Sequence, residues 1–282
     1  MDFIHFEVFM NTNPLRQYFR RPAVYMKLPS NGRGYPEGSI TIPENGEFPV
    51  FPMTAIDEIT SKTPDALFNG VAVCEIIKSC VPDIKDPWAV LGNDLDAILV
   101  AIKAASGDSM SIGSECPKCQ NNAEYNLNLP GLLSSMKAGE YDKELLINEL
   151  RVKFRPLCYK EMNEAALAQF EINKAQVMLQ ADISEVEKTK ILETTLRQIT
   201  DQTMVILSKT IEYIATPSGI VENKDYILDF LKNCDKTIYI TLRDHSAKLR
   251  SETELQPLDI KCTNCENQYQ QPYTLNLSDF FG

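Results

Sequence analysis

Two C-x-x-C pairs, Cys116-Pro-Lys-Cys119 and Cys262-Thr-Asn-Cys265, are separated by 142 residues and constrain this chain more than any other feature. In such a turn two thiolates converge on one cation, and backbone amides help to neutralise the sulfur charge. Two turns complete a tetrahedral four-sulfur shell, the closed geometry of structural zinc. The flanks repeat as well: Gln120–Leu129 and Glu266–Leu277 both end in Tyr-x-Leu-Asn-Leu. Each pair is therefore expected at the tip of a hairpin, with Met110–Ile112 and Leu258–Lys261 as leading strands. The arrangement predicted is a zinc ribbon split by a long insertion, with Cys116, Cys119, Cys262 and Cys265 as ligands of one Zn2+. A thioredoxin-like redox pair and an iron–sulfur cluster are the alternatives for these cysteines. Catalytic zinc needs an open coordination position, which four thiolates do not leave.

The remaining cysteines, Cys74, Cys80, Cys158 and Cys234, sit singly in apolar or mixed surroundings and read as small buried side chains. The opening MDFIHFEVFMNTN has no basic n-region and does not look like a secretory signal, so reducing conditions are expected. No apolar run approaches the ~20 residues that span a bilayer, so no membrane insertion is expected. With 28 basic and 39 acidic residues the net charge is −11, which repels phosphate backbones and argues against nucleic acid as a partner.

Along the chain, residues 1–53 are rich in proline and turn signals, with short strands at Ala23–Leu28, Ser39–Ile42 and Phe48–Phe51. They read as an extended arm or small sheet with little core of its own. Residues 54–107 read as a helical domain. Thr54 with Asp57 resembles a capping box, Thr63-Pro64-Asp65 opens a helix, and Asn93-Asp94 starts another with Leu95, Ile98, Leu99 and Ile102 at helical spacing. Residues 108–130 and 257–282 form the split ribbon, and 131–256 the insertion. Within it Leu150–Phe154 alternates like a strand, and Lys160–Thr216 reads as an antiparallel hairpin of two long helices joined at Asp182–Ser184. Leu167, Phe170, Val177, Met178 and Ala181 mark one helix face; Leu192, Leu196, Ile199, Ile206 and Tyr213 mark the other. The fold class expected is α+β, a mainly helical body with a split ribbon and an extended amino-terminal arm.

Enzymatic candidates are sparse. His5 and His245 are the only histidines, each read as exposed or locally bonded, and the acid pairs Asp57/Glu58 and Asp94/Asp96 sit where they favour helix dipoles. No nucleophile elbow, zinc-protease motif or phosphate-cradling glycine loop occurs. The chain is therefore expected to bind and assemble, not to catalyse.

The series RPAVYMKLPSNGRGY, IPENGEFPVFPMTAIDEITSKTPDALFNG, IIKSCVPDIKDPW and DLDAIL resembles the baseplate hub proteins of T-even-like contractile-tailed bacteriophages. The cysteine knuckles and the closing Asp279-Phe280-Phe281-Gly282 are similar too. The resemblance covers the first half of the chain best and the helical insertion least. It implies a structural or assembly role in the tail baseplate hub, built in the host cytoplasm, with other tail and baseplate proteins as partners and no catalytic residues. Phe280 and Phe281 are candidate anchors for such a partner. Two other roles compete: a transient tail-assembly chaperone absent from the mature virion, and a zinc-ribbon nucleic-acid adaptor.

Overall fold

The computed structural model describes residues 13–63, 68–107, 110–179 and 184–272. His5, the helix start expected at Pro64-Asp65, Ala181, the turn at 182–183, and Phe280 and Phe281 lie outside them. The described residues form an α+β protein with two apolar cores.

The first core is built on α3 (Gly92–Ala105), which is apolar around most of its circumference and is buried from Leu95 through Ile102 except at Asp96. Helix α2 (Val71–Cys80) packs Val73, Ile76, Ile77 and Cys80 against it. Two short strands, β1 (Val24–Met26) and β2 (Phe48–Val50), pair antiparallel with Met26 opposite Phe48. Met26, Phe48 and Val50 are buried in the same core. Residues 24–50 thus form a layer on the helices, where an extended arm with little core was expected. Their apolar side chains each gain ~1.5–3 kcal/mol by burial, which an isolated two-stranded sheet could not secure.

Two buried aspartates tie these layers together. Helix α1 (Ala55–Ser61) begins in the expected capping box, the Thr54 N–H donating to Asp57 at 2.7 Å and the Asp57 N–H to Thr54 Oγ1 at 3.2 Å. Asp57 also accepts from Ser79 Oγ (2.9 Å) and pairs with Arg20 (3.4 Å). Arg20 donates in turn to the carbonyls of Pro52 and Ser79. Asp94 was expected to serve the dipole of its helix; instead its carboxylate is fully buried. It accepts the Ser30 N–H (2.8 Å), the Ser30 hydroxyl and the Tyr35 hydroxyl (2.9 Å). Burial raises the Asp94 carboxyl above its ordinary pKa despite those donors. The turn that carries them needs glycine: Gly32 has φ +75°, and a Cβ there would lie 2.6 Å from Ile42 Cδ1.

The insertion carries the second core. Strands β5 (Glu144–Ile147), β6 (Leu150–Phe154), β7 (Ile211–Thr216) and β8 (Gly219–Val221) form one antiparallel sheet in that order. Val152, Phe154, Ile211 and Ile214 pack on α7 (Lys224–Asn233) and α8 (Lys236–Thr253) through Ile227, Leu231, Leu242 and Leu249. The helical reading through Thr216 is corrected here. Helix α6 (Glu185–Thr210) stops at Thr210, and Ile-Glu-Tyr-Ile-Ala-Thr continues as a strand, as its β-branched and aromatic content favours. Tyr213 stands opposite Lys153 in the sheet, and Thr216–Gly219 is the turn of a β-hairpin.

Helix α5 (Tyr159–Met178) and α6 run antiparallel, as expected, with Lys209 bonded to Glu164 (2.8 Å) and Gln202 to the Ala165 carbonyl (2.8 Å). Their apolar stripes do not lie as predicted: Phe170, Val177 and Met178 on α5, and Leu192 and Leu196 on α6, are exposed. Ile172 and Thr195 are buried instead. His245 also departs from expectation. Its ring lies 5.1 Å from Phe154, and its Nε2 is buried without a partner.

The cores meet where Leu91 bridges Cys158, the Gly92 N–H bonds Leu157 (2.9 Å) and the Tyr159 N–H bonds Val90 (2.7 Å). Trp88 stacks on Tyr159 at 5.3 Å, and Gly70, with φ +79°, leaves room for both rings.

Removing the Asp94 carboxylate orphans three buried donors, so Asp94→Ala should destabilise the protein by ~3 kcal/mol in urea unfolding, and Asp94→Asn by less. A pH test concerns Asp96, whose carboxyl is pushed up to about 6 by burial and then by Glu254. Between the ordinary pKa and about 6 the folded state binds the extra proton, so this group favours folding as pH falls. Relative to Asp96→Asn, the wild type should gain on the order of 1–2 kcal/mol between pH 7 and pH 4, read by urea titrations at each pH.

Candidate metal centre

The repeat read in the sequence is a repeat in the backbone. Strand β3 (Met110–Glu115) pairs antiparallel with β4 (Asn122–Leu127), and β9 (Leu258–Lys261) with β10 (Gln268–Gln271), each leading strand where it was expected. In the first knuckle the Gln120 N–H donates to the Cys116 carbonyl (2.8 Å), and the Cys116 N–H to Asn121 (3.0 Å). In the second the Glu266 N–H donates to Cys262 (3.0 Å), and the Cys262 N–H to Asn267 (2.9 Å). The residue after each second cysteine adopts the left-handed conformation, Gln120 at φ 56° and Glu266 at φ 57°. That reversal swings the following strand back beside the leading one and aims both sulfurs off the tip.

The hairpins stand side by side, locked by Ser114, whose buried hydroxyl bonds Tyr269 Oη (2.8 Å) and Gln271 Oε1 (2.9 Å). This brings all four predicted cysteines together: every Sγ lies within 4.8 Å of the others. Cys116 and Cys265 are 3.7 Å apart, and Cys119 and Cys262 3.6 Å. A tetrahedron with metal–sulfur bonds of ~2.3 Å has edges of ~3.8 Å, so the cluster has the dimensions of a four-thiolate metal shell. Cys116 and Cys262 are buried; Cys119 and Cys265 are half-buried.

Electrostatics at the cluster also suit a cation. Burial acts to raise the Cys116 thiol, but the Cys119 and Lys118 amides and the neighbouring thiols outweigh it and lower it to about 6. The Asn121 amide and the Cys265 thiol lower Cys119 as well. The Asn267 amide pulls Cys265 down, yet the crowd of Cys119, Cys116 and Cys262 pushes it up to about 12. Four thiolates in so small a volume repel one another, and a shared cation relieves that repulsion. Asn264 donates to two of the sulfurs, its N–H to Cys262 Sγ (3.4 Å) and its Nδ2 to Cys119 Sγ (3.7 Å).

The solitary cysteines lie elsewhere. Cys74 and Cys80 are buried as expected, with thiols raised by burial to about 12 and about 11. Cys158 and Cys234 are only half-buried, and burial raises their thiols too, which disfavours the thiolate form. The polar residue that sequence reasoning missed is Ser114: the leading strand was expected at Met110–Ile112, but it runs on to Glu115 with Ser114 buried, and nothing in the sequence marks its partners across the two hairpins.

A model of a known protein family matches most of the chain. The model described as T4 bacteriophage base plate protein matches residues 39–282, which takes in both knuckles and the insertion between them. No curated protein and no solved structure matches the chain.

The left-handed residues provide a test of the knuckle geometry. Gln120→Gly and Glu266→Gly should leave stability unchanged or raise it slightly, whereas Gln120→Val should cost about 1–2 kcal/mol in thermal or urea unfolding. Equal stability of the Gly and Val variants would show that the reversal at 120 is not required.

Proposed function

Because the chain belongs to the T4 bacteriophage base plate protein family, we propose that it is a structural or assembly component of the central baseplate hub, held together by one zinc ion. A baseplate protein resides in the virion tail, and the family match across residues 39–282 is the observation that carries the reading. Other tail and baseplate proteins are its partners, and assembly takes place in the host cytoplasm. The role is structural and not catalytic: His245 is turned into a core, Asp57 and Asp94 are consumed by hydrogen bonds, and four thiolates leave a metal no open position. Phe280 and Phe281 remain proposed anchors for a partner. Among the described residues no helix is long and apolar enough to cross a membrane.

Cys116, Cys119, Cys262 and Cys265 are the proposed zinc ligands. Sulfur donors favour zinc over magnesium or calcium, and two C-x-x-C knuckles in a family of structural proteins favour zinc over a redox cluster. Zinc would neutralise two of the four thiolate charges and join the hairpins at their tips, holding both ends of the insertion.

Metal analysis of the purified protein should find one zinc per chain. A strong chelator should lower the melting temperature, and Cys119→Ser should weaken zinc retention and lower it similarly. Because protons compete for the sulfurs, zinc should dissociate as pH falls. A stoichiometry near zero, with stability unchanged by chelation, would overturn the zinc assignment. The hub assignment is tested separately, by quantitative mass spectrometry of purified virions and tail intermediates: the protein should be found in baseplate-containing particles, and its absence from all of them would overturn that role.

A further inference from the structure

The two knuckles repeat each other closely, and one residue breaks the repeat. The first cysteines, Cys116 and Cys262, are buried, and the second ones, Cys119 and Cys265, are half-buried. The sulfur pairs across the site match as well, Cys116–Cys265 at 3.7 Å and Cys262–Cys119 at 3.6 Å. Backbone donors keep the same symmetry: the Asn121 N–H serves Cys119, and the Asn267 N–H serves Cys265. The third position of each turn does not, being Lys118 in one and Asn264 in the other. Asn264 reaches across the site with its Nδ2 to Cys119 Sγ (3.7 Å). Among the described residues no side-chain nitrogen donates to Cys265 in return.

This asymmetry has a chemical consequence. When zinc holds all four sulfurs as thiolates, the deprotonated fraction no longer separates them. Nucleophilicity then follows the electron density left on each sulfur, which every donated N–H draws down. Burial keeps electrophiles from Cys116 and Cys262, so the choice lies between Cys119, with two donors, and Cys265, with one. Resting on the zinc reading above, we propose that Cys265 is the reactive sulfur of the site: it attacks electrophiles first and so releases the metal, while Asn264 shields Cys119. With an alkyl iodide, a Cys265 Sγ lone pair forms the S–C bond as the C–I bond breaks. Iodide leaves, and no proton moves because the sulfur is already a thiolate. The product is a neutral thioether, no longer the thiolate that binds the metal. Loss of zinc then unfastens the two hairpin tips at the ends of the insertion.

Limiting iodoacetamide on the full-length protein, with its zinc content measured beforehand, tests this. Peptide mass spectrometry reads which cysteine is modified, and a colorimetric chelator reads zinc release. Cys265 should be alkylated first, with zinc appearing at the same rate. Asn264→Ala should speed alkylation of Cys119 by roughly 3–5-fold and leave Cys265 unchanged. Lys118→Asn supplies the missing donor by the symmetry of the knuckles and should slow Cys265 by a similar factor. Both changes are at exposed positions, and one zinc per chain in each variant shows that its site is intact. Zinc present with Cys119 modified first, or with both at equal rates, would overturn this proposal alone. So would an Asn264→Ala variant whose Cys119 reacts no faster. Absence of zinc from the starting protein would overturn the metal assignment itself, and this inference with it.

Discussion

The closeness of two hairpin tips is the constraint on which the rest of the fold depends. Cys119 and Cys262 sit 3.6 Å apart at the boundaries of everything between them. The chain leaves the first knuckle through β4 into helix α4 (Leu129–Ser135), builds the four-stranded sheet and four helices of the insertion, and returns through β9. Closing a loop of this size costs little more than closing one half as long, because each doubling adds only ~0.6 kcal/mol. What decides the arrangement is therefore the strength of the closure, not the length of the insertion. Ser114 reinforces it with two hydrogen bonds between the hairpins, and the Leu91–Cys158 bridge supplies a separate hold on the first core.

Away from the sulfurs, two carboxylates gather segments that are far apart in sequence. Asp57 joins the amino-terminal segment through Arg20 and helix α2 through Ser79, while capping its own helix. Asp94 holds the Ser30–Tyr35 turn against the start of α3. The two differ in electrostatics. Asp57 has a cation, and Arg20 is itself partly exposed, so the pair resembles a half-buried ion pair of modest net strength. Asp94 has only neutral donors, which offset its burial incompletely, and its carboxyl stays raised. The segments that these aspartates join are those of the motif series: RPAVYMKLPSNGRGY meets DLDAIL at Asp94, and its neighbour Arg20 meets AIDEIT and IIKSC at Asp57. The motif series is thus one packed unit in space.

Features that depend on local chemistry were legible before the fold. The cysteine knuckles, the Thr54–Asp57 cap, the strand at Leu150–Phe154 and the α5–α6 hairpin each rest on residues within a few positions of one another. Features decided by distant partners were not. Ile211–Thr216 has an apolar spacing that a helix could use, and its pairing with β6 is what makes it a strand. Asp94 looked like any acid at a helix start because its three donors come from residues 30 and 35. Similarly, the stripe of Leu192 and Leu196 reads as core by periodicity, yet both are exposed and Thr195 beside them is the buried position.

These differences leave the molecule unevenly stabilised. The first core buries a nearly continuous apolar helix between a sheet layer and α2, the kind of packing from which the highest local stability is expected. The outer half of the α5–α6 hairpin has few buried side chains beyond Ile172 and Thr195, so its helices depend on capping and on each other. Ser184 and Glu187 form a reciprocal cap at the start of α6. Local capping therefore substitutes for burial at the tip, while burial and buried carboxylates dominate at the root. Among the described residues, burial is concentrated near the two cores and the cysteine cluster, and the outer turns of the α5–α6 hairpin are the part where local opening is expected first.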